Sequence, residues 1–321
     1  MPGGINIRRK VLAATASFVL LSAAGCGRQR AIDAYVDAVS YKERGQNEIA
    51  VQKLDEAIKR NPKFSMAYSL RGDIYREQRM YEKSAEAYTE ATKLNPWSFN
   101  DFFNLGKVYE AMRKWAQAIK AYVKACELKP EHVEAHVSTA KAYLEIKDYQ
   151  SALRYGKHAE QLDPNVGEVQ KLIGDIYGAR KDPNGAISAY RRALELEGNK
   201  PEILTSLGFE YLQLQRNDTA KEVLLAASQA DPNNAVVYQY LGYCFLGLKE
   251  YEEAVESYAK ATELNDEDWI AHKGLGVAYM LVGIRDSNDA VKQKALDEWK
   301  TSLNIQPNQS KLIKLLRQYS K

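Results

Sequence analysis

The stretch Phe103–Pro130, FNLGKVYEAMRKWAQAIKAYVKACELKP, carries the pattern that organises the whole chain. Gly106 is followed three residues later by Tyr109, then by Ala118, Tyr122 and Ala125, and the stretch closes on Pro130. Moved by 34 residues in either direction, the same pattern returns. Tyrosines stand at Tyr41, Tyr75, Tyr109, Tyr143, Tyr177 and Tyr211, and Phe245 and Tyr279 continue the series. A second register admits only glycine or alanine: Ala38, Gly72, Gly106, Ala140, Gly174, Gly208, Gly242 and Gly276. A third runs Ala50, Ser84, Ala118, Ala152, Ala186, Ala220 and Ala254, and a fourth Ala57, Ala91, Ala125, Ala159, Ala193, Ala227 and Ala261. Prolines close most repeats, at Pro62, Pro96, Pro130, Pro164 and Pro232. Coincident registers at one fixed period mark a repeat architecture.

Each register has a physical reading. A repeat of two helices, A and B, cannot bury its apolar faces alone, so neighbours stack and share one continuous core. The glycine or alanine is expected to let helix backbones approach closely, and leucine at Gly106 would overpack the site at a cost of roughly 1–3 kcal/mol. The tyrosine three residues on lies on the same helical face and fills the adjoining space. Proline follows helix B because it cannot continue a helix. In the fifth repeat Asp182-Pro183-Asn184-Gly185 replaces the usual turn and reads as an N-cap with proline at the first helical position. The spacing from Tyr279 to Ala295 is 16 residues where earlier repeats have 9, so the last repeat carries seven extra, in longer helices or in a loop around GIRDSNDA. The final segment SKLIKLLRQYSK is apolar at Leu312, Ile313, Leu315 and Leu316, as a helix covering the open end of the stack would be.

The pattern resembles the tetratricopeptide repeat over residues 31–308, with repeats starting at 31, 65, 99, 133, 167, 201, 235 and 269. Leu105, Gly106 and Tyr109 match that family's L-G-x-x-Y, and Ala118, Tyr122 and Ala125 its A-x-x-x-aromatic-x-x-A. The resemblance implies an all-α fold, a right-handed solenoid of eight helix-turn-helix repeats with a capping helix over residues 309–321.

The N-terminus reads differently. Arg8, Arg9 and Lys10 precede an apolar run from Val11 to Leu21, and the stretch Leu20–Arg30 is LLSAAGCGRQR. This is the layout of a secretion signal, and the run is too short to span a bilayer as a helix, which takes about 20 residues. The ending SAAGC resembles the bacterial lipobox, although Ala23 stands where that motif favours leucine. The resemblance implies cleavage between Gly25 and Cys26, acylation of Cys26 and a short linker over 26–30; the alternative is an ordinary signal peptide with an incidental cysteine. Several acyl chains anchor firmly because each buried methylene contributes about 0.8 kcal/mol. Gly27 after the cysteine resembles the outer-membrane sorting pattern, so the expected location is the bacterial envelope, facing the periplasm where a second membrane exists. Removal of residues 1–25 takes away three basic residues and no acidic one, leaving 42 Lys+Arg against 42 Asp+Glu. A balanced chain gives no electrostatic reason to expect a nucleic-acid partner.

No constellation of catalytic groups is legible, and none of the nucleophile elbow, phosphate loop or H-E-x-x-H motifs occurs. His132 and His136 are four residues apart, but His136 and His272 share the fourth position of their repeats, where packing is the expected role, so no metal site is assigned. Cys126 and Cys244 are more than three repeats apart, too far to meet a disulfide's reach of about 7 Å in a stack where each repeat touches its neighbours. They read as small core residues. No enzyme activity and no cofactor are expected.

The remaining candidate is the surface. The family resemblance implies a concave groove lined by positions 5, 9, 12 and 13 of the A helices. In the early repeats these positions are mostly polar, and the lysine–asparagine set that clamps a terminal carboxylate is missing. In the last three repeats positions 9 and 12 are Phe209 and Leu212, Tyr243 and Leu246, and Val277 and Met280, with Gln239 at position 5 of the seventh. An exposed stripe of this kind would be a patch that soluble proteins rarely leave without use. Either a partner peptide or helix occupies it, or the chain's own LIKLL segment covers it. The expected function is a non-catalytic scaffold, membrane-anchored, that recruits or assembles other envelope proteins. The alternative is a soluble exported chaperone-like module that holds apolar segments. Oligomeric state is left open.

Overall fold

The computed structural model describes residues 28–320. Cys26, the Gly25–Cys26 junction and the signal-like segment lie outside the described residues. Among the described residues the secondary structure is helical throughout, with no strand. The chain divides into two compact units, at Asp148 and Tyr149.

The first unit holds α1 (28–43), α2 (Asn47–Arg60), α3 (Ser65–Glu77), α4 (Tyr81–Leu94), α5 (Phe99–Ala111), α6 (Trp115–Leu128) and α7 (Val133–Glu145). The second holds α8 (Tyr149–Leu162), α9 (Gly167–Ala179), α10 (Pro183–Glu197), α11 (Pro201–Gln213), α12 (Asn217–Ala230), α13 (Ala235–Leu248), α14 (Tyr251–Leu264), α15 (Trp269–Arg285), α16 (Asp289–Ile305) and α17 (Ser310–Tyr319). Odd-numbered helices up to α15 are the A helices, and each packs on the helices before and after it within its unit. The first helix starts at residue 28, so residues 28–30 of the expected linker are its first turn. Gln29 Nε2 donates to Asp33 Oδ1 at 3.0 Å there.

One turn geometry joins A to B throughout. The N–H of the residue opening helix B donates to the carbonyl of the repeat's tyrosine: Met80 to Tyr75 at 2.8 Å, Lys114 to Tyr109 at 2.8 Å, Arg216 to Tyr211 at 3.0 Å. The residue before it takes the left-handed conformation, as at Arg79, Arg113, Lys181, Gln215 and Lys249 (φ 55–65°). This is the Schellman ending, in which a left-handed residue lets two carbonyls of the last helical turn be satisfied. Only the first repeat places glycine there, Gly45.

The B-to-A turns end on an extended residue before proline, as at Asn61 (φ −136°) and Asn95 (φ −129°), because proline's ring disfavours a helical residue in front of it. Several A helices then start on a side-chain cap. Asn234 accepts from Val236 N and Asp268 from Ile270 N and Ala271 N. Asp182 caps α10 through Gly185 N at 3.0 Å, with Pro183 at the first position as expected.

The core explains the glycine register and corrects its physical reason. The eighth-position glycine faces a large side chain of helix B sixteen residues on, rather than another backbone. A Cβ at Gly174 would lie 2.5 Å from the Tyr190 ring, at Gly242 2.6 Å from Tyr258 and at Gly208 2.5 Å from Leu224, and at Gly106 it would run into Tyr122. The buried ring needs the space that a side chain would take.

The seven extra residues of the last repeat lengthen its helices instead of forming a loop. α15 and α16 have 17 residues each, against 13 for α3 and 14 for α4, and the turn between them keeps its length. α17 follows Pro307 and packs on α16. Leu312 is 2 % exposed, in one apolar cluster with Met280, Leu296 and Trp299. Gln309 Nε2 ties the segment down by donating to the Ser302 carbonyl and hydroxyl. α17 therefore covers the end of the stack.

Candidate functional site

Polar positions on the A-helix face of the early repeats have a structural job. The helix-B tyrosine at position 24 needs an acceptor when its ring is buried. Tyr88 Oη donates to Asp73 at 2.6 Å, Tyr190 Oη to Asp175 at 2.8 Å, and Tyr122 Oη to Glu110. Burial raises the pKa of all three hydroxyls, and the neighbouring carboxylates add to it. From the sixth repeat onward the need changes. Position 24 becomes Leu224 and later Trp299, whose Nε1 donates to the Lys273 carbonyl at 3.3 Å. Positions 9 and 12 are then free to be apolar.

The structure separates the two members of each apolar pair. Phe209 and Tyr243 are exposed (37 % and 56 %), and Val277 is half-buried. Leu212 and Met280 are buried, at 6 % and 4 %, with Leu246 half-buried against the core. Gln239 is half-buried. So position 12 belongs to the packing between helices, and position 9 is the surface. α17 leaves Phe209 and Tyr243 uncovered, since its buried Leu312 lies in the Trp299 cluster.

Beside Phe209, α9, α11 and α13 enclose an open recess of about 410 Å³ that sequence reasoning missed. Phe209 and Tyr240 form one wall, their ring centroids 5.3 Å apart. Asp175 and Glu210 form another. Asp175 is held by Tyr190 Oη and by Lys171 Nζ, both at 2.8 Å. Glu210 is 6 % exposed, and burial and the nearby Asp182 push its carboxyl above the usual range. Burial and Glu210 likewise raise the Tyr240 hydroxyl. In the first unit the same face holds a more polar recess of about 320 Å³ lined by Tyr35, Ser69, Asp73 and Asn104. A larger cleft of about 810 Å³ lies between α4, α5 and α6, lined by Phe102, Tyr109 and Ile119.

The histidines and cysteines are structural. His132 caps α7 by accepting from Ala135 N at 3.2 Å and packs against the Phe99 ring at 4.6 Å. His136 and His272 each lean back over the turn before their helix, with Nε2 donating to the Pro130 carbonyl at 2.8 Å and the Asp266 carbonyl at 3.0 Å. A carbonyl can only accept, so Nε2 carries the proton. Cys126 and Cys244 are free and buried; burial raises both thiols, Cys244 to about 12. Among the described residues no helix is long and apolar enough to cross a membrane.

No curated protein sequence matches the chain. Among solved structures, the C-terminal part of a TPR repeat-containing protein from Cytophaga hutchinsonii superposes with a TM-score of 0.61 at 16 % identity, covering 76 % of this chain and 97 % of that one. Pseudomonas aeruginosa pilF gives 0.54 at 18 % identity, covering 64 % and 94 %. YrrB, described as a TPR protein with an unusual peptide-binding site, gives 0.50 at 22 % identity, covering 58 % and 96 %. These likenesses carry the fold alone. Models of the tetratricopeptide repeat match residues 35–96, 103–166, 179–242 and 235–268. With stacked helix pairs, the small residue facing each helix-B side chain and the Schellman turn in place, the chain belongs to the tetratricopeptide repeat family.

Proposed function

We propose that this protein is a non-catalytic scaffold of the bacterial envelope, anchored through acylated Cys26, that binds a protein partner on the A-helix face of its second compact unit. The observation that carries the reading is the exposure of Phe209 and Tyr243 on successive A helices, on a face that α17 leaves open. Large exposed aromatics are the side chains that anchor protein interfaces, because they bury much area and lose little conformational freedom. YrrB's peptide-binding site is consistent with such use of this fold. A membrane-attached stack would hold its partner near the bilayer.

Two measurements in living cells test this. A photoreactive residue in place of Tyr243, with Leu225 on helix B as control, captures one or two dominant envelope proteins from position 243 alone if the scaffold reading holds. Many clients would instead favour the soluble, chaperone-like module. Labelled palmitate enters the wild-type chain and not a Cys26→Ser variant; labelling that persists in the variant removes the anchor from the account.

A further inference from the structure

The recess between α9, α11 and α13 holds a carboxylate in a setting that a stack does not need. Glu210 is buried, at 6 % exposure, and no hydrogen bond or ion pair serves its side chain. Its nearest charged neighbour that bears on it is Asp182, of the same sign. The carboxylate points into the recess, and the facing helix makes room for it: a Cβ on Gly178 would lie 2.7 Å from Glu210 Oε1. Glycine inside a helix costs about 1 kcal/mol relative to alanine, and an unpartnered buried carboxylate is costly too. Both costs fall at one place. Phe209 and Tyr240 stand beside it as an aromatic wall.

We infer that this recess receives a basic side chain, an arginine of the bound partner, with its guanidinium paired to Glu210 and stacked against Phe209 and Tyr240. The chemistry fits on three counts. A guanidinium supplies the charge-assisted hydrogen bonds that a buried carboxylate lacks. Its planar face stacks on aromatic rings, where a cation is attracted by the ring quadrupole. Asp175 at the same rim adds negative potential, although Lys171 partly offsets it. Binding would relieve the unpaired charge, so the site is better satisfied occupied than empty. The inference rests on the A-helix face being the binding surface and names what the partner presents there.

The test uses the full chain and an array of blocked random peptides in which a central arginine is compared with citrulline, its neutral isostere. The expected result is binding at least about tenfold tighter for arginine, the size of one charge-assisted hydrogen bond. In Glu210→Gln that preference vanishes while apolar peptides are retained. The arginine–citrulline comparison is made on the ligand, so it holds whatever a substitution does to folding. Equal binding of both peptides overturns the inference and leaves the docking face standing. An arginine preference that survives in Glu210→Gln overturns the assignment to this recess. Binding of no peptide overturns the docking face and the inference together.

Discussion

Gly106 and Tyr122 are one feature divided between two helices. The ring fills the volume that a side chain at position 106 would occupy, so the two residue types are linked by space. Gly106→Leu is expected to destabilise the fold by roughly 1–3 kcal/mol, read from urea unfolding of the full chain; a change below about 0.5 kcal/mol would mean that Tyr122 swings aside easily. Glu210 belongs to the same scale with the opposite sign. Burial raises its folded pKa, so folding is opposed once the pH climbs above the carboxyl's unfolded value of about 4.3. Below that value Glu210 is neutral in both states. Glu210→Gln should therefore melt with the wild type near pH 4 and above it at pH 7, with Asp175, Asp182, Tyr190 and Tyr240 the titratable groups around it. Identical melting across that range would contradict a strained carboxylate. The glycine register was legible at this scale because it repeats eight times. Its cause was not, since the partner sixteen residues on is sometimes tyrosine, once leucine and once tryptophan. Glu210 was not legible either: one glutamate in the middle of a helix carries no periodic mark.

At the scale of elements, every turn from A to B ends in a left-handed residue, and outside the first repeat that residue has a side chain. The left-handed conformation costs an L-residue roughly 1–2 kcal/mol. Arg113→Gly is expected to stabilise the chain by about 1 kcal/mol, measured as a raised unfolding midpoint; a lowered midpoint would show that the arginine makes contacts worth more than the strain. These turns escaped the sequence reading because Arg79, Arg113 and Lys181 lack the glycine that usually announces them. α17 was legible from its apolar spacing, and its role rests on Leu312. Leu312→Ala is expected to cost about 2–5 kcal/mol and to loosen Trp299, visible as a red-shifted tryptophan emission. An unchanged spectrum would mean that α17 is not what closes the end. The extra residues of the last repeat were counted from the sequence, but only helices compatible with the Gly276–Trp299 pairing could show where they went.

On the scale of the whole molecule, the early A helices use their face to hold the tyrosine hydroxyls of helix B, and the later ones release it. Sequence periodicity alone marked Phe209, Leu212, Tyr243, Leu246, Val277 and Met280 as one stripe. Packing splits it, because positions 9 and 12 are three residues apart and only one of them can point away from the neighbouring helix. What the sequence could not distinguish was which. The exposed pair Phe209 and Tyr243, with Glu210 between them in space and sequence, is the surface on which the account stands. The most direct test is the affinity of the partner captured at position 243 for the full chain and for a Phe209→Ala, Tyr243→Ala double variant. The account predicts a loss of at least about tenfold, near 1.4 kcal/mol, with an unchanged unfolding midpoint. Equal affinity in the two proteins would contradict it and move the working surface elsewhere.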